Sequence, residues 1–138
     1  MYERFNDSIT WYVCFDTHLG EPFMVQRLLN RKFRHVYLWR QAGEGSILIN
    51  PLAQATCIRH CDIPIEKAIE NELVNGVTAI VQHTVHYASH YKPRLPMPQY
   101  CVTQASKILC VGGAITPYGL YKKLIQAGCS VIKPFTIP

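Results

Sequence analysis

Apolar positions along the chain cluster in short runs separated by glycine, proline and polar residues. Ile9, Trp11, Tyr12, Val13 and Phe15 lie in a run rich in β-branched and aromatic side chains, which predicts a strand. In residues 21–30, Phe23, Val25, Leu28 and Leu29 follow helical spacing better than alternation, and Pro22 suits a first helical position, so a short helix is expected. Residues 33–40 and 46–50 flank Gly43, Glu44 and Gly45, the clearest hairpin in the chain. Pro51 should end its second strand, and residues 56–59 are expected to pair as a third.

Ile65, Ala68, Ile69 and Leu73 recur at helical spacing after Asp62 and Pro64, with Asn75 and Gly76 as a stop. Residues 77–81 read as a strand. Residues 86–99 carry Pro93, Pro96 and Pro98 among Tyr and His, which predicts a loop long enough to be functional. Val102, Ala105, Ile108 and Leu109 share one face over residues 101–110, so that loop should run into a helix whose first turn holds Cys101. Thr116 and Pro117 open a last helix through Ala127, Gly128 stops it, and residues 131–133 form a strand. Strands and helices mixed in this way predict an α+β chain.

A length of 138 residues suits one domain spanning residues 1–138. With 49% hydrophobic and only 17% charged residues, the chain can bury a core, which excludes global disorder. The net charge of +5 favours an acidic partner no more than it suits an ordinary surface. No run approaches the ~18 apolar residues of a membrane span, and residues 1–16 lack the basic start, apolar core and cleavage site of an export signal. The six cysteines, Cys14, Cys57, Cys61, Cys101, Cys110 and Cys129, are therefore expected to be free thiols in a reducing compartment.

A thiol in the first turn of a helix faces unpaired backbone N–H groups and the positive end of the helix dipole, both of which favour the thiolate. Cys101 is the cysteine expected there, and it makes the candidate nucleophile. His35, inside an amphipathic strand, is the candidate base. Asn50, at the end of the partner strand, is the candidate group that fixes the imidazole's tautomer. The backbone N–H of Cys101 and the side chain of Gln99 would supply an oxyanion hole.

Phe33-Arg34-His35-Val36, the following Ile49-Asn50-Pro51 and the downstream Tyr100-Cys101-Val102 together resemble a circularly permuted papain-like domain. The order is similar to the permuted branch of the NlpC-type cell-wall hydrolases and to the lecithin:retinol acyltransferase-like proteins, in which the His strand precedes the Cys helix. Lys107-Ile108-Leu109 and Thr116-Pro117-Tyr118-Gly119-Leu120-Tyr121 also look like small permuted papain-like proteins of bacteriophages. The resemblance implies an antiparallel sheet carrying His35 and Asn50 packed against helices, one of which presents Cys101. It implies a thiol hydrolase of the cysteine peptidase or amidase kind, acting on a peptide or acyl substrate such as peptidoglycan peptides and needing no cofactor. It also implies a place in the host cytoplasm or the virion, with phage or virion proteins as partners. Two departures stand out. Asn50 occupies a position often held by His or Asp, and Tyr100 precedes the cysteine where the acyltransferase branch has Asn. The alternative is a non-catalytic phage structural or binding protein on the same fold.

Cys57, His60 and Cys61 could join His83 or His86 around a zinc ion, but their spacing matches no common finger, and the expectation is buried or surface thiols. His83, His86 and His90 are expected as loop and rim residues and not as a metal triad. Arg27, Arg31, Lys32, Arg34 and Arg40 beside Tyr37 and Trp39, with Lys92 and Arg94 among Tyr87 and Tyr91, mix basic and aromatic side chains as single-strand binders do. Charges spread over several elements more often form a solvated face, so nucleic acid is not the expected partner. Val111-Gly112-Gly113 lacks the Lys-Ser/Thr of a phosphate loop.

Overall fold

Six antiparallel strands and three helices make up the described part of the chain. The computed structural model describes residues 8–17, 35–51, 55–86, 101–114 and 116–134. In chain order the elements are β1 (Ser8–Asp16), β2 (His35–Ala42), β3 (Gly45–Pro51), β4 (Thr56–Cys61), α1 (Ile65–Val74), β5 (Ala79–His86), α2 (Cys101–Leu109), α3 (Pro117–Gln126) and β6 (Ser130–Lys133). They build one open sheet in the order β4-β3-β2-β1-β5-β6, every neighbouring pair antiparallel. The expected α+β class is thus present. The helix expected at residues 21–30 lies outside the described residues.

Alternation along the central strands gives the sheet two covered faces. Val13, Phe15, Val36, Leu38 and Val81 point to the face carrying α2 and α3, where they pack with Val102, Ala105, Leu109, Leu120 and Leu124. Cys14, Tyr37, Trp39 and Ile80 point to the other face, under Ile65, Ala68 and Ile69 of α1. Phe15, Leu38, Leu109, Leu120 and Leu124 are fully buried. Each such side chain contributes about 1.5–3 kcal/mol by leaving water.

Local chemistry fixes the ends of these elements. In the β2–β3 hairpin Ala42 pairs with Gly45, and Gly43 takes φ 60° at the first of two central positions, as a type II′ turn requires. Pro64 opens α1 without a side-chain cap, and the Ile65 N–H donates instead to Gln41 Oε1 at 2.8 Å. At the start of α3 the Thr116 hydroxyl accepts from the Gly119 N–H at 3.0 Å, with Pro117 at N1. Gly128 follows this helix at φ 82°, the left-handed conformation that releases the chain into β6.

One expectation needs correcting. The fifth predicted strand, residues 77–81, begins two residues later and runs on to His86. His83 and His86 are therefore strand residues and not loop residues. Polar pairs across to β1 carry the extension: Thr10 and Thr84 share a hydroxyl hydrogen bond at 2.9 Å, and Ser8 Oγ lies 2.7 Å from His86 Nδ1.

Candidate active site

β2 and β3 part company at one end of their ladder. Their pairing runs from Ala42–Gly45 to Leu38–Ile49 and stops, while β3 continues to pair with β4 through Pro51 and Thr56. Residues 35–37 and 50–51 therefore flank a notch in the sheet. Across it, His35 Nε2 and Asn50 Oδ1 lie 2.5 Å apart. The amide oxygen accepts only, so the ring donates through Nε2 and leaves the Nδ1 lone pair free. His35 is 5% exposed and stacks on Tyr37, with ring centroids 6.1 Å apart.

Tyr37 is anchored from the far side. Its hydroxyl donates to Glu72 Oε2 of α1, and Trp39 Nε1 donates to Glu72 Oε1 at 3.0 Å. Burial pushes the Tyr37 phenol far above its ordinary range, and its hydrogen bond to Glu72 and the Glu72 and Asp16 charges push it further. It remains a neutral donor at any physiological pH. α1 thereby fixes the strand that fixes the histidine.

Cys101 is the first described residue of α2, which runs Cys101–Leu109. The backbone amides of Val36, Val102 and Cys101 itself act on its thiol and favour the thiolate. The Val36 contact follows from the sheet geometry. Phe15 directs its carbonyl to the Thr78 N–H at 2.9 Å, towards β5, and Phe15 pairs with Val36, so antiparallel alternation turns the Val36 N–H away from β1 and towards the notch. Burial raises the thiol above its ordinary pKa, the three amides lower it, and the Asp16 carboxylate raises it again.

His35 and Asn50 are brought together directly, and among the described residues no contact joins Cys101 to either; its thiol is acted on by the backbone of Val36, the residue next to His35. By strand parity the His35 side chain belongs with Tyr37 on the α1 face, whereas Cys101 approaches from the α2 face. Gln99, the expected oxyanion donor, lies outside the described residues; the Val36 and Val102 amides are donors that sequence reasoning missed. Asp16 was missed as well. It pairs with His35 in the β1–β2 register, and only the sheet pairing reveals it.

The other candidates separate. On β4, Cys57 and Cys61 share one parity and His60 the other, and His60 faces Asp62 at 3.8 Å. Among the described residues no three metal-ligating side chains gather. Arg40 lies over the Trp11 ring at 5.6 Å, while Arg27, Arg31, Lys32, Arg34, Lys92, Arg94 and His90 fall outside the described residues. No described helix is long and apolar enough to cross a membrane. Compared with protein-family models, curated proteins and solved structures, the chain matches none.

Proposed function

We propose that the chain is a thiol hydrolase on a permuted papain-like, NlpC-type fold, cleaving an amide or ester bond with Cys101, His35 and Asn50. The observation that carries the reading is the His35–Asn50 hydrogen bond at 2.5 Å, with the backbone amide of Val36, the residue next to His35, acting on the Cys101 thiol. Asn50 holds the ring so that Nδ1 can take the Cys101 proton. The thiolate then adds to the substrate carbonyl, and the oxygen that becomes negative is met by backbone N–H groups of the kind gathered around Cys101. His35 returns the proton to the leaving amine or alcohol as the thioester forms. Water, deprotonated by the same ring, releases the acid and restores the thiol. Peptide bonds of peptidoglycan are the substrate class that fits the resemblance.

The second reading, a binding or structural protein of a phage particle on the same fold, is favoured by the burial that raises the Cys101 thiol. An acyl probe separates the two. Incubation with p-nitrophenyl acetate should release a burst of nitrophenol and leave an acetyl group on Cys101, detected by peptide mass spectrometry. The burst should vanish in Cys101→Ala and fall in His35→Ala. Acetylation of exposed Cys57 in preference to Cys101 would exclude the hydrolase and leave the binding role.

A further inference from the structure

A second cysteine and histidine meet outside this site. His83 of β5 places Nδ1 3.1 Å from the Cys129 sulfur, and its Nε2 lies 3.1 Å from the Leu109 carbonyl oxygen. The two residues are 46 positions apart in sequence, joined only by the fold. A carbonyl can only accept, so Nε2 carries the proton and Nδ1 presents its lone pair to the thiol. Nucleophile, base and a third group that orients the base are therefore all in place. The orienting carbonyl belongs to Leu109, the last residue of α2. Burial raises the Cys129 thiol above its ordinary value, so a reactive sulfur there depends on passing its proton to His83.

From this geometry we infer that Cys129 is a site of covalent modification by low-molecular-weight disulfides, with His83 as its base. The Cys129 proton moves to His83 Nδ1, and the sulfur attacks one sulfur of the disulfide. The disulfide's S–S bond breaks as the mixed disulfide forms, and the departing thiolate takes the proton held on His83. One disulfide and one protein thiol give one mixed disulfide and one free thiol, with no other oxidant. Cys129 is partly exposed, open enough for such a reagent, whereas Cys14 is fully buried.

Exposed Cys57 serves as the internal reference, because access alone would make it the faster of the two. The full-length protein is incubated with oxidised glutathione at neutral pH, and each cysteine's glutathionylation rate is read by peptide mass spectrometry. Cys129 should react at least about fivefold faster than Cys57, and His83→Gln, whose amide can still donate to the Leu109 carbonyl but cannot accept a proton, should bring it to or below the Cys57 rate. Cys129 reacting no faster than Cys57 in the wild-type protein overturns the inference whether or not the variant folds. So does an unchanged Cys129 rate in folded His83→Gln. The reaction at Cys101 has no bearing on either outcome.

Discussion

Replacing Asn50 with Ala removes the acceptor across the notch and leaves His35 Nε2–H buried without a partner. The ring is 5% exposed and its bond to Asn50 is 2.5 Å long, so water cannot readily take the amide's place. An unmet buried donor costs about 1–3 kcal/mol. For a domain of this size, a loss of about 2 kcal/mol lowers the thermal midpoint by roughly 8 °C. The same change frees the imidazole to adopt either tautomer, and Cys101 alkylation at neutral pH should fall at least about tenfold. A double-mutant cycle isolates the bond. In a His35→Ala background Asn50 has no ring to hold, and its further replacement should cost under about 0.5 kcal/mol, which gives a coupling of about 1.5 kcal/mol by urea or thermal unfolding. Strictly additive losses, with no coupling, would refute the claim that Asn50 positions His35.

Other outcomes follow from the same contacts. Glu72→Ala strips the acceptor from both Tyr37 and Trp39 and should cost about 2–3 kcal/mol in urea unfolding, with Glu72→Gln losing less because one amide oxygen can still accept. The raised Cys14 and Tyr37 groups stay neutral in the folded chain and ionise freely once unfolded. The stability they contribute is whole below about pH 8.5 for the cysteine and about pH 10 for the tyrosine, and it is lost as pH rises beyond those values. Urea midpoints should fall between pH 8 and 11, less steeply above pH 10 in Tyr37→Phe; a flat profile would contradict the burial of both groups. Thr116→Ala removes the α3 cap and should cost about 1 kcal/mol, checked by thermal unfolding.

Elements held by local patterns were legible in the sequence. The Ile65, Ala68, Ile69 spacing gave α1, Thr116 and Pro117 gave the start of α3, and the glycines at 43 and 45 gave the hairpin that sets β2 against β3. β5 was read too short because its apolar run ends at Val81, and the residues that prolong it, Thr84 and His86, find their partners on β1 more than seventy positions away. The site was legible in part for the same reason. Asn50 and His35 sit on the two strands of one hairpin, so their meeting follows from local chain reversal. Asp16 beside His35, the Val36 amide at Cys101 and His83 beside Cys129 depend on which strands neighbour which, and a single sequence does not carry that.

The proposed chemistry rests on whether His35 takes the Cys101 proton, and one measurement tests it directly: the iodoacetamide reactivity of each cysteine against pH, in the wild type and in His35→Ala. Burial, the largest influence on the Cys101 thiol, raises it above its ordinary value, so without the histidine it should be inert near pH 7. With the histidine, Cys101 should be alkylated near pH 7 and should lose that reactivity in the variant. Cys101 as inert near pH 7 as buried Cys14, or equally reactive in both proteins, would contradict the pair and with it the hydrolase.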